Sequence, residues 1–168
     1  MHDELIDLVD AHGVVIATMN RSEVFAQGFT NFRLVCALIK NNEGKIFIPR
    51  RSAHKLDYPN ALACVGGCVK TGETYEQGLR REVLEEVMIN IDTVSYKFLG
   101  FVSPYTYKVK GYIAAYEILI PFSEVQFEKN DFSEALWLFP EQIKERISTG
   151  DVATNNLLTL LDLFYLNL

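Results

Sequence analysis

Cysteine is scarce in this chain: Cys36, Cys64 and Cys68 are the only three among 168 residues. An odd count gives no disulfide framework of the kind that staples small secreted domains, so a reducing cytoplasm is the expected compartment. Cys64 and Cys68 stand as Cys-x3-Cys with no second pair to complete a zinc site, and they read as small loop residues. Histidine is equally sparse, and His2, His12 and His54 lack metal-ligand spacing, which leaves them solvent-facing or structural roles. The start, Met1-His2-Asp3-Glu4-Leu5, has no basic segment followed by an apolar run, so no export signal is expected. No apolar run reaches the roughly 20 residues that span a bilayer, which excludes a membrane helix. The most apolar tail, Leu157 to Leu168, contains Asp162 and Asn167 and reads as a packed terminal helix, with a homodimer as one use for it. Excess positive charge is missing too. Sixteen Lys and Arg against 22 Asp and Glu leave a net charge of -6, which argues against a nucleic-acid polymer as partner. Repeats, low-complexity tracts and Pro/Gly/Ser-rich linkers are also lacking, so the chain reads as one folding unit.

What is present patterns clearly. Leu5 to Val9 and Val14 to Met19 are apolar runs around the turn Asp10-Ala11-His12-Gly13, the chemistry of a β-hairpin. Phe32 to Ile39 and Lys45 to Ile48 flank Asn41-Asn42-Glu43-Gly44 in the same way, with Pro49 expected to end the second strand. From Arg50 to Gly72 periodicity is lost and glycines gather, which predicts a long loop with a short buried strand near Leu62 to Val65. Thr74-Tyr75-Glu76-Gln77 has the form of a capping box and predicts a helix from there to about Val87. Strands follow at Val94 to Val102, Tyr112 to Ile120 and Ala135 to Phe139, with closing helices at Pro140 to Ser148 and Asn155 to Leu166. Strands and helices mix without strict alternation, which predicts an α+β fold, a mixed α/β/α sandwich, over a doubly wound parallel sheet. Residues 1–30 then form a hairpin extension packed on a domain of residues 31–168.

The chemistry sits on the predicted helix. Residues three and four apart share a helical face, so Glu82, Glu85 and Glu86 crowd three carboxylates into one arc. A run of like charge is ordinarily a solvated face. Here it lies beside Arg81, follows a glycine-rich loop, and shares its helix with an apolar stripe of Leu79, Val83 and Val87. An acidic edge on a docked helix suits a hard cation. Mg²⁺ takes oxygen ligands and keeps several waters, so two or three carboxylates plus substrate phosphate oxygens fit it.

The 23 residues from Gly67 to Ile89 resemble the box of the Nudix family: Gly, five residues, Glu, seven residues, Arg-Glu, an aliphatic, any residue, Glu-Glu, any residue, Gly and an aliphatic. Gly67, Glu73, Arg81, Glu82, Glu85 and Glu86 all fall in register. The resemblance extends from about Asn31 to Leu161. It implies the Nudix fold and a Mg²⁺-dependent hydrolysis, with Mn²⁺ as a substitute, of a diphosphate linkage in a nucleoside diphosphate derivative or a similar small molecule. It further implies that Glu82, Glu85 and Glu86 hold metal, that Glu82 or Glu86 orients or deprotonates the attacking water, and that the Gly66 carbonyl joins the metal shell. Gly67, Glu73 and Arg81 receive a structural role. Glu117, Asp131 and Glu134 are candidates for a further ligand.

One position departs from the box. Met88 replaces the last glycine, which ends the helix in a left-handed conformation that a side chain disfavours, and Asn90 is a residue able to take over that turn. Gly78 in mid-helix is expected where the backbone packs closely on the sheet. Arg50 and Arg51 follow a strand and precede the loop, which makes either a candidate for a substrate phosphate. Tyr105, Tyr107 and Tyr112 are candidates to stack on a base, set against the commoner core role of strand aromatics. The N-terminal part is similar to the isopentenyl-diphosphate isomerase branch, an alternative that needs a loop cysteine where Gly66 stands and a loop histidine where Cys68 stands. A non-catalytic nucleotide-derivative sensor is the third reading, and intact glutamates argue against it.

Overall fold

The computed structural model describes residues 3–121 and 125–166, so His2 and Asn167 lie outside the described residues. The hairpin is β1 (Leu5–Val9) and β2 (Val15–Asn20), followed by a six-residue helix α1 (Arg21–Ala26) that the periodicity does not announce. One residue of α1, Val24, is buried, which is too little for a repeating apolar signal. The main sheet contains β3 (Arg33–Asn41), β4 (Ile46–Arg51), β5 (Ser95–Val102), β6 (Tyr112–Ile120) and β7 (Phe132–Leu138) in the order β5-β6-β3-β4-β7. The pair β3 and β6 runs parallel, and the other neighbours are antiparallel. Central β3 is apolar almost throughout because both of its faces are covered.

One face carries Val35, Ala37, Ile39 and Phe47 against Leu79, Val83 and Val87 of helix α2 (Tyr75–Val87). The opposite face carries Cys36, Leu38, Ile46 and Ile48 against Ile143 of α3 (Pro140–Ser148) and Leu157, Leu160 and Leu161 of α4 (Asn155–Leu161). Ile6 and Leu8 of the hairpin join this second core. The result is the α/β/α sandwich. No helix among the described residues is long and apolar enough to cross a membrane. The predicted terminal helix divides: α4 stops at Leu161, and Asp162–Leu166 continues as a wider π-type turn.

Pro49 does not end β4, which runs on to Arg51. The reason is that β3 and β4 splay after a single ladder pair, Lys40 with Ile46, and residues 61–69 fill the gap. On one flank Ala63 N–H donates to the Pro49 carbonyl, and on the other Ala37 and Val35 N–H donate to the carbonyls of Val65 and Gly67. A residue's N–H and C=O share a side of the strand, so the missing donor of Pro49 faces the splayed gap and spares the ladder to β7. Likewise no single strand forms at Leu62 to Val65. The loop makes separate bridges, Leu62 with Arg50, Val65 with Ala37 and Cys68 with Leu34. This insertion brings the glycine-rich loop into the middle of the sheet, opposite α2.

Asp7 fastens the hairpin to that loop. Its carboxylate accepts from Thr18 Oγ1 at 2.8 Å, Thr71 Oγ1 at 2.9 Å and Arg33 Nη2 at 3.0 Å. Burial pushes its pKa up, but those partners outweigh it and hold the carboxyl below the usual range.

Candidate active site

Helix α2 begins as its sequence requires. Thr74 Oγ1 accepts from Gln77 N–H at 3.2 Å, and the Gln77 side chain accepts from Thr74 N–H at 2.8 Å. With Leu79, Val83 and Val87 turned to the sheet, Glu82 is drawn to the buried margin of the same face while Glu85 stays 56% exposed. Glu86 reaches the loop, where Gly66 N–H donates to its Oε2 at 2.8 Å. Gly66 is sterically required, and at Gly67 a side chain would displace the Glu82 carboxylate. A Cβ on Gly66, whose φ is +137°, would lie 2.1 Å from the Val35 carbonyl oxygen, and one on Gly67 would lie 2.6 Å from Glu82 Oε1. Gly78 also packs closely, with a Cβ there 3.2 Å from Val69 Cγ2.

Arg81 braces this arrangement. Its Nε and Nη2 donate to the two oxygens of Glu73 at 2.8 and 2.9 Å, Nη2 also donates to the Cys68 carbonyl at 2.8 Å, and Nη1 meets Glu82 Oε1 at 2.6 Å. Glu73 in turn accepts from Lys70 N–H at 2.9 Å. The Arg81 hydrogen bonds hold the Glu73 carboxyl below its usual range. Glu82 behaves oppositely: burial pushes its pKa up and Arg81 only partly offsets that. Glu86 is raised further, first by burial and then by the charge of Glu82, with Asp131 adding to it.

Buried Glu82 and half-buried Glu86 repel each other, and the one arginine at hand, Arg81, is shared between Glu82 and Glu73, which leaves the site short of positive charge. Their oxygens suit Mg²⁺. Among the described residues no three His, Cys, Asp or Glu side chains converge on one point, so an ion here also needs oxygens from a backbone carbonyl, water or substrate. Of the further carboxylates, Asp131 faces Glu86 and pairs with Lys55. Glu134 is tied to Arg50, and Glu117 lies on the other face of the sheet, bound to Lys97 at 2.9 Å and to the Tyr165 hydroxyl.

The arginine pair separates. Arg50 is spent on Glu134, on Asp151 at 3.0 Å and on the Asn60 carbonyl at 3.0 Å. Arg51 donates from Nε to the Asp57 carbonyl at 3.0 Å, and its terminal nitrogens have no protein partner among the described residues. Arg51 lines a cavity of about 90 Å³ that shares Gly66 and Gly67 with the glutamate site and is otherwise walled by Cys36, Cys64, Tyr58 and Lys110 among others. Neither Tyr105 nor Tyr107 lines it; Tyr105 meets Tyr112 edge-on at 5.9 Å. Tyr58 and Lys110 escaped the sequence reading because they lie on loops with no pattern to mark them.

Met88 takes the left-handed position itself, with φ 54° and ψ 25°. Asn90 instead caps the following 3-10 turn, Ile91–Thr93, by accepting from Asp92 N–H. Because Met88 is 45% exposed, Met88→Gly removes strain at small packing cost. That variant is expected to gain about 1 kcal/mol in urea denaturation, an effect absent if the turn is unstrained.

Comparison with known proteins agrees with this geometry. Residues 30–156 match the model of the NUDIX domain. The chain is 40% identical to an uncharacterized Nudix hydrolase of Nostoc sp. over 165 residues, covering 98% of this chain and 97% of that protein. It is 37% identical to a Nudix hydrolase of Deinococcus radiodurans, covering 94% of this chain and 92% of that one. A crystal structure of a Deinococcus radiodurans protein superposes with a TM-score of 0.91 at 36% identity, over 96% of this chain and 99% of the other. A box in register, the sandwich that presents it and relatives matched along nearly their whole length together make this chain a member of the Nudix family, and a hydrolase by kinship.

Proposed function

We propose that this chain hydrolyses the diphosphate linkage of a nucleoside diphosphate derivative or a similar small molecule, with Mg²⁺ or Mn²⁺ held by Glu82, Glu85, Glu86 and the Gly66 carbonyl. The observation that carries this is the pair of mutually repelling carboxylates, buried Glu82 and half-buried Glu86, beside a cavity that Arg51 lines. A divalent ion supplies charge neutralisation on the diphosphate and a water acidic enough to ionise near neutral pH. The protein supplies position. Gly66 N–H holds one oxygen of Glu86, which orients the carboxylate to take the proton of the attacking water. Glu82 has one oxygen committed to Arg81, which fixes it as a ligand and leaves Glu86 as the proton acceptor. Arg51 holds a phosphate oxygen while the water oxygen bonds to phosphorus and the bridging oxygen leaves. Arg50 belongs to the scaffold.

The isomerase alternative loses support at Cys68. Its thiol is buried and pushed up to about 12 by that burial, and its carbonyl is held by Arg81, so it offers neither a ligand nor a proton donor.

The test is an assay of the purified chain with Mg²⁺ against nucleoside diphosphate derivatives, dinucleotides, nucleoside triphosphates and isopentenyl diphosphate, with Glu86→Gln alongside. Metal-dependent cleavage that the variant lacks is the expected result. Cleavage of no compound, or equal cleavage by the variant, overturns the proposal. Among active-site neighbours, Arg51→Gln is expected to raise KM about tenfold or more, the scale of one lost charge-assisted hydrogen bond, while Arg50→Gln lowers the denaturation midpoint instead.

A further inference from the structure

The hydrolysis as proposed makes no use of the three cysteines, yet two of them line its cavity. Cys36 on β3 is buried, Cys64 on the inserted loop is partly exposed, and both wall the cavity beside Gly66 and Gly67. The sequence groups Cys64 with Cys68 as Cys-x3-Cys, but the tertiary structure regroups them. Cys68 is 2% exposed, lies outside the cavity lining, and has its carbonyl held by Arg81.

The register accounts for the regrouping. The antiparallel bridges of Leu34 with Cys68 and Ala37 with Val65 set Gly66 opposite Cys36 and Cys64 opposite Leu38, so Cys36 and Cys64 are diagonal neighbours. Alternate residues of a strand share a face, and Cys36, Leu38 and Cys64 all pack into the core beneath α3 and α4. Gly66 has no side chain to stand between the two thiols. Its backbone comes so near that a Cβ there would lie 3.0 Å from the Cys36 Cα. The thiols meet, and the Cys36 thiol is pushed well above its ordinary value, first by its hydrogen bond to Cys64 and then by burial.

Diagonal neighbours stand about 7–8 Å apart and a disulfide joins Cα atoms up to about 6.8 Å apart, so bonding these sulfurs draws the loop along β3 by about an ångström. The loop can give, because residues 61–69 reach the sheet through separate bridges and not through a continuous ladder. Gly66 moves with Cys64, and Gly66 N–H is the donor that orients Glu86. Misplacing a catalytic group by about 1 Å costs on the order of a hundredfold in rate.

We infer that Cys36 and Cys64 are a thiol pair that a small disulfide such as oxidised glutathione converts reversibly to an intramolecular disulfide and, resting on the hydrolase reading above, that this bond switches hydrolysis down. Partly exposed Cys64 reacts first. Its sulfur bonds to one sulfur of the oxidant, the oxidant's S–S bond breaks, and one thiol leaves with the Cys64 proton. The Cys36 sulfur then attacks Cys64 Sγ and displaces the second thiol, which carries off the Cys36 proton. Two cysteine sulfurs are oxidised and the two sulfurs of the oxidant are reduced. Excess dithiol runs the sequence backward.

The experiment treats the purified chain with oxidised glutathione, alkylates the remaining thiols after denaturation, and maps unreduced peptides by mass spectrometry. The expected result is a peptide link between Cys36 and Cys64 with Cys68 alkylated, reversed by dithiothreitol. Cys36→Ala is expected to stop at a glutathione adduct on Cys64. Cys64→Ser, at a partly exposed position, is expected to take up no glutathione at Cys36, and it reads the pair even where truncating the buried thiol impairs folding. The bridged protein, freed of glutathione, is expected to lose about tenfold or more in Mg²⁺-dependent turnover and to recover it on reduction. A link between Cys64 and Cys68, adducts without a link, or three free thiols overturns the inference. So does a complete link between Cys36 and Cys64 that leaves turnover unchanged, and in each case cleavage by the reduced chain keeps the hydrolase reading. A link that forms in a chain cleaving nothing in either state overturns the hydrolase reading and keeps the thiol pair.

Discussion

Glu86→Gln is expected to lower Mg²⁺-dependent turnover by about a hundred- to ten-thousandfold, the scale of one lost acid–base group, and at the same time to raise the thermal midpoint of the metal-free protein. The two effects have one cause. Glutamine keeps the shape and still offers an oxygen to Gly66 N–H, but it removes a charge that burial and Glu82 both oppose. The sign with pH follows. A carboxyl whose folded pKa is raised stabilises the fold below its unfolded value, near 4.3, and that contribution is lost as pH rises through the folded value. From acid toward neutral pH the metal-free parent is therefore expected to lose stability relative to Glu86→Gln. Added Mn²⁺ is expected to raise the midpoint of the parent and leave the variant nearly unmoved. A metal-free variant less stable than the parent at neutral pH, or an equal response to Mn²⁺, contradicts this account of the site. Differential scanning fluorimetry across pH 4 to 8, with and without metal, reads both.

Arg81→Ala carries the largest expected stability loss, about 3 kcal/mol, with activity falling alongside it. The Arg81, Glu73 and Glu82 side chains are only 16%, 21% and 12% exposed, so truncation strands two carboxylates with little water to take the place of the guanidinium. It also frees the Cys68 carbonyl, and with it the loop that supplies Gly66 and Gly67. Arg81→Lys is expected to recover little of this, because an ammonium cannot make the paired bonds to Glu73 while reaching Glu82 and Cys68. The pH dependence runs opposite to that of Glu86. Arg81 holds the Glu73 carboxyl below its usual range, so this stabilisation is present above about pH 4.3 and is lost as pH falls through the folded value. Urea denaturation at pH 7 and pH 4 should show an Arg81→Ala protein whose deficit relative to the parent shrinks in acid. A loss under 1 kcal/mol at pH 7 would sink the brace as described.

These two variants touch the part of the molecule most legible in one dimension. The capping box at Thr74, the stripe of Leu79, Val83 and Val87, and the spacing of Glu82, Glu85 and Glu86 are local, so helical geometry alone places them. Strand β6 and helix α3 were bounded by the same kind of local signal. Pro49 shows where local reasoning stops. A proline ordinarily ends a strand, yet β4 continues because the partner on that side is a loop that makes no demand on the missing N–H. Met88 is a second case. A methionine in a left-handed turn is disfavoured by about 1–2 kcal/mol, an amount that packing elsewhere in α2 readily exceeds, so the residue takes the glycine's place and Asn90 does not.

What the sequence determined by itself, then, was the acidic helix, its bracing arginine and the glycines facing it, because each depends on residues within one short stretch. Only the tertiary structure decided how the neighbouring cations are used. Arg50 and Arg51 are adjacent in the chain but diverge across a strand, one to Glu134 and Asp151, the other to the cavity. Tyr58 and Lys110 reach that cavity from separate loops, and long-range packing of this kind leaves no periodicity to read.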